Sequence, residues 1–480
     1  MRKGILSVVV AAAFLCSGFL EPVHAQQLPE GAGRELVEAN CSQCHGLDLI
    51  TSSRNTEEGW RQVSISMVDL PESQLDTIVA YLGARFPARS APAAPAPAQA
   101  QQLPEGTGQE LVESTCSQCH RLNLITNSWG NTEEGWRELV SSMIELPKSE
   151  ADTIAAYLGA HFPVKPAPEA VVIPGDVSVS IKEWVVPSLG SRPHDPLAAA
   201  DGSLWWTGQW ASVLGRLDPA TGVMKEYPLP PGSGPHGLVE DATSNIWFTG
   251  ISQNYVGKLD PRTGEVTQYP VSGEGVRGPH TPILDQNGTV WFTLQSGHVG
   301  RLVPKTGEMK IAKTPSDNTY PYGIVVNSKG VPWYVDFRGN RLGSVDPETM
   351  EIREHTLPSL EARPRRVAIT PDDVLWYTDY ARGYLGRFDP ASGEVQEWPS
   401  PGGPESQPYG ISAVGNIIWY SESSVRPNTL VRFDTESENF QTWVIPSGGG
   451  VVRNMMATSS GNLVLACSGV NRVALVEVGN

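Results

Sequence analysis

Two short runs carry the plainest chemistry in this sequence: Cys41-Ser42-Gln43-Cys44-His45 and Cys116-Ser117-Gln118-Cys119-His120. Two thiols three positions apart lie on one helical turn. Each can form a thioether to a vinyl group of the same porphyrin, and the His that follows presents a ring nitrogen to the iron. A single C-x-x-C would also suit a redox disulfide or half a zinc site, but two copies, each followed by His, predict two haem c. The sixth iron ligand has to come from elsewhere. Met67 lies 22 residues after His45, and Met143 lies 23 after His120, in the matching contexts Ser-Met-Val-Asp-Leu-Pro and Ser-Met-Ile-Glu-Leu-Pro. Both are expected as axial ligands, since Met opposite His favours ferrous iron. The alternative is a Met that only lines the pocket, with His161 as a rival ligand in the second copy.

The elements that position these residues form an internal repeat. Gln26-Gln27-Leu28-Pro29-Glu30-Gly31 recurs at 101–106, the same offset of 75 that separates Cys41 from Cys116. Each copy continues with Asn-Thr-Glu-Glu-Gly-Trp, ending at Trp60 and Trp136. Each closes with a helix pattern, Asp-Thr-Ile-x-Ala-Tyr-Leu-Gly-Ala, at 76–84 and 152–160. The repeat predicts two small all-α domains, 26–86 and 101–163. A prosthetic group in the middle explains how so short a chain builds a core. Residues 87–100 and 164–180 are Ala/Pro-rich and are expected as semi-rigid linkers.

Arg2 and Lys3 precede an apolar run from Ile5 to Leu20, and Val23-His24-Ala25 supplies small residues before a cleavage point. Residues 1–25 are expected to be a signal peptide that sends the chain to the bacterial periplasm or beyond. No later stretch is long and apolar enough to span a bilayer. The 52 acidic against 35 basic side chains give a formal charge of −17, which argues against nucleic acid as a partner. A periplasmic redox protein and a small molecule remain as expected partners.

From residue 181 the texture changes. An apolar residue, Trp and an aromatic recur at Leu204-Trp205-Trp206, Ile246-Trp247-Phe248, Val290-Trp291-Phe292, Pro332-Trp333-Tyr334, Leu375-Trp376-Tyr377 and Ile418-Trp419-Tyr420. The Trp spacings are 42, 44, 42, 43 and 43. Leu463-Val464-Leu465 is a degenerate seventh copy. Some four short strands per unit, broken by Asp-Pro and Thr-Gly turns, predict an all-β seven-bladed propeller over 181–480, with a stacked solenoid as the alternative. Ile181-Lys182-Glu183-Trp184 is expected to pair with the last unit and close the ring. Cys467 reads as a small buried hydrophobe in a strand.

Residues 1–170 resemble small exported cytochromes c. Over 181–480 the Pro-His-Gly, Trp-Phe-Thr, Gly-Arg-Leu-Asp and Glu-Tyr-Pro-Leu-Pro elements resemble virginiamycin B (streptogramin) lyases. The pairing of haem domains with a propeller also resembles, in architecture alone, the haem-bearing subunit of quinohemoprotein amine dehydrogenases. The lyase resemblance implies a magnesium-dependent elimination with a His base and Glu partners near the axis. Equivalent blade positions read His194, His236, His280, Tyr322, Arg365, Tyr409 and Arg453, and are expected to crowd one mouth of the channel. A second ring reads Gly208, Gly250, Leu294, Asp336, Asp379, Glu422 and Cys467. The three His and three carboxylates are candidates for a metal or acid–base site, with His236, His280 and His194 as catalytic candidates and Mg as the implied metal. The alternative is a wet polar channel without chemistry. Where the family has Glu two residues before its catalytic His, this chain has Arg192, Gly234 and Gly278. Near the family's second Glu it has Gln209, Ile251 and Gln295. That departure argues against the lyase reaction, and fusion to haem motifs favours an electron-transfer protein whose propeller binds a partner or small molecule and is a candidate site for its oxidation; lyase-type elimination is the alternative.

Overall fold

The computed structural model describes residues 28–41, 57, 60–61, 72–86, 103–116, 122–126, 128, 130–141, 146–164 and 167–479. The expectations for residues 1–25 and for Cys44, His45, Met67, Cys119, His120 and Met143 lie outside them. The chain divides into two compact units, 1–99 and 100–480.

In the first unit, the helices Arg34–Cys41 and Glu72–Arg85 enclose a small core of Leu28, Val37, Trp60, Ile78, Tyr81, Leu82 and Phe86. The Trp60 indole donates to the Phe86 carbonyl at 3.0 Å, and the Tyr81 hydroxyl donates to the Pro29 carbonyl at 2.5 Å. The second unit begins with the same arrangement. Its helices Gln109–Cys116, Glu133–Ser141 and Lys148–His161 pack Val112, Trp136, Ile154, Tyr157, Leu158 and Phe162 together. Trp136 donates to the Phe162 carbonyl at 2.9 Å and Tyr157 to that of Pro104. The sequence repeat is thus a repeat of core and anchoring hydrogen bonds. Each closing helix starts four residues earlier than its apolar pattern suggested. In the second copy, Pro147 sets the start: its ring fixes φ at −53° and it stands as the N-cap.

Residues 168–173 are not a loose tether. Arg426 N–H donates to the Pro168 carbonyl and Ala170 N–H to the Arg426 carbonyl, while Ile173 accepts from the Thr442 N–H and donates to the Thr442 hydroxyl. This Pro-rich stretch is therefore held along one blade.

The rest of the second unit is seven four-stranded antiparallel sheets, the propeller expected from the 43-residue spacing. Blades 1 to 6 occupy 193–228, 235–270, 279–313, 321–356, 364–399 and 408–444. Blade 7 takes its inner three strands from 452–479 and its outer strand from Ser178–Val185. Trp184 pairs with Val473 and Ile181 with Val476, so the two ends of the propeller close one sheet. Closure pairs the first strand with the last, so blade 7 is completed and neither end of the propeller hangs free. The strand begins at Ser178, three residues before the expected boundary.

Two motif residues explain why the blades pack. The Gly of each Gly-Arg-Leu-Asp type strand lies opposite the aromatic that follows Trp: Gly215 under Trp206, Gly257 under Phe248, Gly300 under Phe292, Gly343 under Tyr334 and Gly386 under Tyr377. A Cβ at Gly257 would stand 2.2 Å from the Phe248 ring, and one at Gly300 would stand 2.1 Å from Phe292. The ring lies flat on the bare backbone and fills the space between neighbouring blades.

The Thr of Trp-Phe-Thr is the second device. Thr207, Thr249 and Thr293 donate to the carbonyls of His236, His280 and Tyr322 on the next blade, at 2.8, 2.6 and 2.7 Å. Each also accepts the backbone N–H of Asp195, Gly237 or Thr281 at a bulge in its own inner strand. Thr378 and Ser421 repeat the tie to Tyr409 and Val452, and Ser468 ties blade 7 to Pro193. Among the described residues no helix is long and apolar enough to cross a membrane.

Gly257→Ala should lower the unfolding free energy of the propeller by about 1–3 kcal/mol, because the methyl forces Phe248 off its seat. Urea denaturation followed by Trp fluorescence measures this. An unchanged midpoint would mean that the ring has room to move.

Candidate ligand-binding mouth of the channel

The inner strands of the seven blades begin with a Pro or Val, followed by the residue that points at the axis. Those second residues are His194, His236, His280, Tyr322, Arg365, Tyr409 and Arg453, as expected from the sequence. They do not line an open wet channel. His194, His236 and His280 are 3%, 3% and 0% exposed, and their rings stack in series with centroids 3.8 and 3.6 Å apart. His280 then meets Tyr322 at 3.9 Å, whose hydroxyl shares a 2.5 Å hydrogen bond with Tyr409. Arg365 lies 3.7 Å over the Tyr409 ring. The seven side chains plug the axis.

The next residue on each inner strand forms a layer that the sequence reading missed: Asp195, Gly237, Thr281, Gly323, Arg366, Gly410 and Asn454. Arg366 reaches across from blade 5 to blade 1. Its Nη2 donates to Asp195 Oδ1 at 2.6 Å and its Nη1 to Oδ2 at 3.2 Å and to Thr281 Oγ1 at 3.2 Å. Asn454 donates to Asp195 Oδ2 at 3.1 Å, and His194 Nδ1 stands 2.9 Å from Oδ1. Both ends of the ion pair are 3% exposed at the side chain. The even blades contribute Gly, because a Cβ at Gly323 or Gly410 would meet the neighbouring backbone at about 3 Å. This alternation of polar residue and Gly beside each axial position was the available signal.

The carboxylates of the second expected ring turn away from the axis. Asp336 accepts the backbone N–H groups of Tyr320 and Arg338 and pairs with Arg341. Asp379 accepts from Arg363 and Ala381 and pairs with Arg382. Glu422 accepts from Gly402, Ser400 and Thr429. All three hold the turns of their own blades, so the expected union of three His with three carboxylates does not form. Cys467 lies buried at the end of the strand Leu463–Cys467, and burial pushes its thiol up.

The electrostatics follow from burial. Desolvation is the main cause that holds His194, His236 and His280 well below the ordinary 6.5, and the guanidinium of Arg366 adds to it for all three. The imidazoles are neutral at pH 7. Arg192, at the rim beside His194, is brought down to about 10 by burial and by Arg453 and Arg365. The magnesium implied by the resemblance does not fit these residues. Mg²⁺ takes hard oxygen ligands, whereas the mouth offers imidazoles, phenols and guanidiniums, and Arg366 occupies its one carboxylate. His194, Asp195 and His236 form the one His/Cys/Asp/Glu group among the described residues with ligand atoms within 4.8 Å of one another.

A seven-bladed propeller with an axial His/Tyr/Arg plug defines the class of this unit. The sequence model of the Virginiamycin B lyase family matches residues 174–425, just over half of the chain, and the protein belongs to that family. Among solved structures, a streptogramin B lyase is 24% identical (TM-score 0.58; 63% of this chain, 98% of that one). A catalytically inactive variant of Staphylococcus aureus virginiamycin B lyase with quinupristin is 21% identical (TM-score 0.56; 62% and 99%). The hydrazine synthase of Kuenenia stuttgartiensis shares 12% identity (TM-score 0.51; 59% and 95%). At these identities the likeness is one of fold. No curated protein matches the chain.

Two outcomes are expected of the plug. Asp195→Asn leaves Arg366 buried without a counter-charge and should cost about 3–5 kcal/mol in denaturant titrations, while Asp195→Asn with Arg366→Met should recover part of it. The histidines set a pH dependence. Their folded-state values lie below the unfolded value of 6.5, so the unfolded chain takes up protons first as pH falls. Stability is therefore fully present above about pH 6.5 and should fall below it, by up to about 1.4 kcal/mol per His per pH unit. A thermal midpoint that stays flat from pH 7 to about pH 5 would contradict neutral burial.

Proposed function

We propose that this protein is an exported dihaem c-type cytochrome in electron transfer, whose propeller binds a small molecule or partner and whose haems pass electrons to a periplasmic redox protein. The observation that carries the reading is the pair of Cys-x-x-Cys-His runs, set in two copies of one helical unit. Cys41, Cys44, Cys116 and Cys119 would hold the two haems. His45 and His120 would be their proximal ligands, with Met67 and Met143 opposite. The described part of the second copy suits such a group. Cys116 is the last residue of its helix, and Leu111, Leu122, Leu139 and Leu146 remain partly exposed along the same core. An apolar macrocycle would cover that edge. When bound, haem supplies a one-electron ferric/ferrous couple.

Family membership supports a second reading, elimination of the lyase type with His236, His280 or His194 as base. Against it stand the Glu positions noted above, the burial of all three rings and the cationic rim. A fold shared with an enzyme does not by itself transfer the reaction.

Purified from periplasm, the full chain should give two haem per polypeptide in a pyridine haemochrome assay. The weak oxidised-state band near ~700 nm should disappear on Met67 and Met143 substitution. One haem or none refutes the dihaem reading. The chain should leave streptogramin B intact; ring opening that is lost in a His236→Ala, His280→Ala double variant would establish the second reading instead.

A further inference from the structure

The protein carries a charge of −17, yet its channel mouth is cationic. Arg192, Arg365, Arg366 and Arg453 converge there, and Asp195 is taken by Arg366 alone among them. Arg192 and Arg453 have no ion-pair partner among the described residues, and the buried Nε atoms of Arg365 and Arg453 have no hydrogen-bond partner. The histidines supply no counter-charge in either protonation state. His236 Nδ1 and His280 Nε2 are also buried without a partner. Converging buried cations without counter-charge are costly unless an anion joins them.

The same rim is aromatic. Arg365 is enclosed by Tyr322, Phe337, Tyr380 and Tyr409, with centroids 5.1, 4.5, 4.2 and 3.7 Å away. Arg192 lies 4.6 Å over Trp210, which is half exposed. A guanidinium clamped face-on by rings can still donate edge-on to a planar two-oxygen acceptor: Arg365 shares Nη2 with the Tyr322 hydroxyl at 3.3 Å and its Nε has no partner. Phe337, Tyr380 and Tyr320 are partly exposed beside it and offer ring faces for stacking. The Tyr409 hydroxyl reports the local field. Burial would push it up, but Arg365, Arg453 and Arg366 together bring it below its usual value.

We infer that the channel mouth binds a small aryl carboxylate, its carboxylate held by Arg192, Arg365 and Arg453 and its ring against the Phe337/Tyr380 wall. This names the ligand for the small-molecule part of the function proposed above and does not depend on the haem part.

Isothermal titration calorimetry on the full chain, with benzoate as probe, tests it. Benzoate should bind, and benzamide, of the same shape without the charge, should not. Arg453→Gln and Arg192→Gln should each weaken benzoate by ~10-fold or more. If Arg453→Gln fails to fold, the partly exposed Arg192 carries the test. Equal binding of benzamide, tighter binding of inorganic phosphate, or no heat with any anion overturns the assignment. So does an ultraviolet titration showing Tyr409 ionised at neutral pH, since the protein would then supply its own anion. A chain without haem that still binds benzoate refutes the electron-transfer reading alone; a dihaem chain that binds none refutes this one alone.

Discussion

The ion pair between Asp195 and Arg366 spans the axis of the propeller and joins segments 171 residues apart. Removing two charges from water is expensive, and their attraction offsets that cost only if the remaining hydrogen-bonding groups are also met. Here all but the Arg366 Nε, which has no partner, are met from the odd blades: Asp195 on blade 1, Thr281 on blade 3, Arg366 on blade 5 and Asn454 on blade 7. The even blades supply Gly, so the polar layer closes without crowding. The rest of the mouth depends on this layer. Burial keeps the imidazoles beside it neutral, the Arg366 guanidinium adds to that effect, and the one carboxylate near the axis is unavailable to any cation.

The sign of the mouth follows from that arrangement. A lyase of this family is expected to gather carboxylates around a divalent metal, and this chain has Arg192, Gly234 and Gly278 where a Glu would stand. One of the three positions carries a guanidinium and two carry no side chain, so the carboxylates are gone and the nearby charges, Arg192, Arg365 and Arg453, are positive. In a low-dielectric pocket, such a difference in charge changes which ligands can enter more than any change of shape would.

The blade count, the turns and the closing strand were legible because each rests on local pattern: Trp every 43 or so residues, Asp-Pro and Thr-Gly turns, and an orphan strand before the first marker. The seven axial residues were legible as well, since each follows the Pro or Val that opens an inner strand. The direction of Asp336, Asp379 and Glu422 was not. A strand places a side chain on one face or the other by register, but these residues sit where the strand turns, and the unpaired N–H groups of the loop, such as those of Tyr320 and Arg363, capture the carboxylates. The Asp195–Arg366 pair was invisible for a different reason. Nothing local links two residues on blades 1 and 5, and only the polar/Gly alternation hinted that the position mattered.

One seam of the ring differs from the others. The Thr or Ser at this place in blades 1, 2, 3, 5 and 6 is Ala466 in blade 7, where Ser468 makes the tie instead, and Val335 in blade 4, which cannot donate to blade 5. At that seam Arg365 Nη2 donates to the Tyr322 hydroxyl at 3.3 Å, and Tyr322 in turn meets Tyr409 on blade 6. The residues that face the mouth therefore also hold together the place where the backbone tie is missing. At 3.3 Å this bond is longer than the 2.6–2.9 Å Thr ties of the other seams, and its strength varies with what else the guanidinium contacts. Any anion that draws Arg365 outward weakens its hold on Tyr322. A ligand of the kind proposed above would therefore bear on the seam between blades 4 and 5.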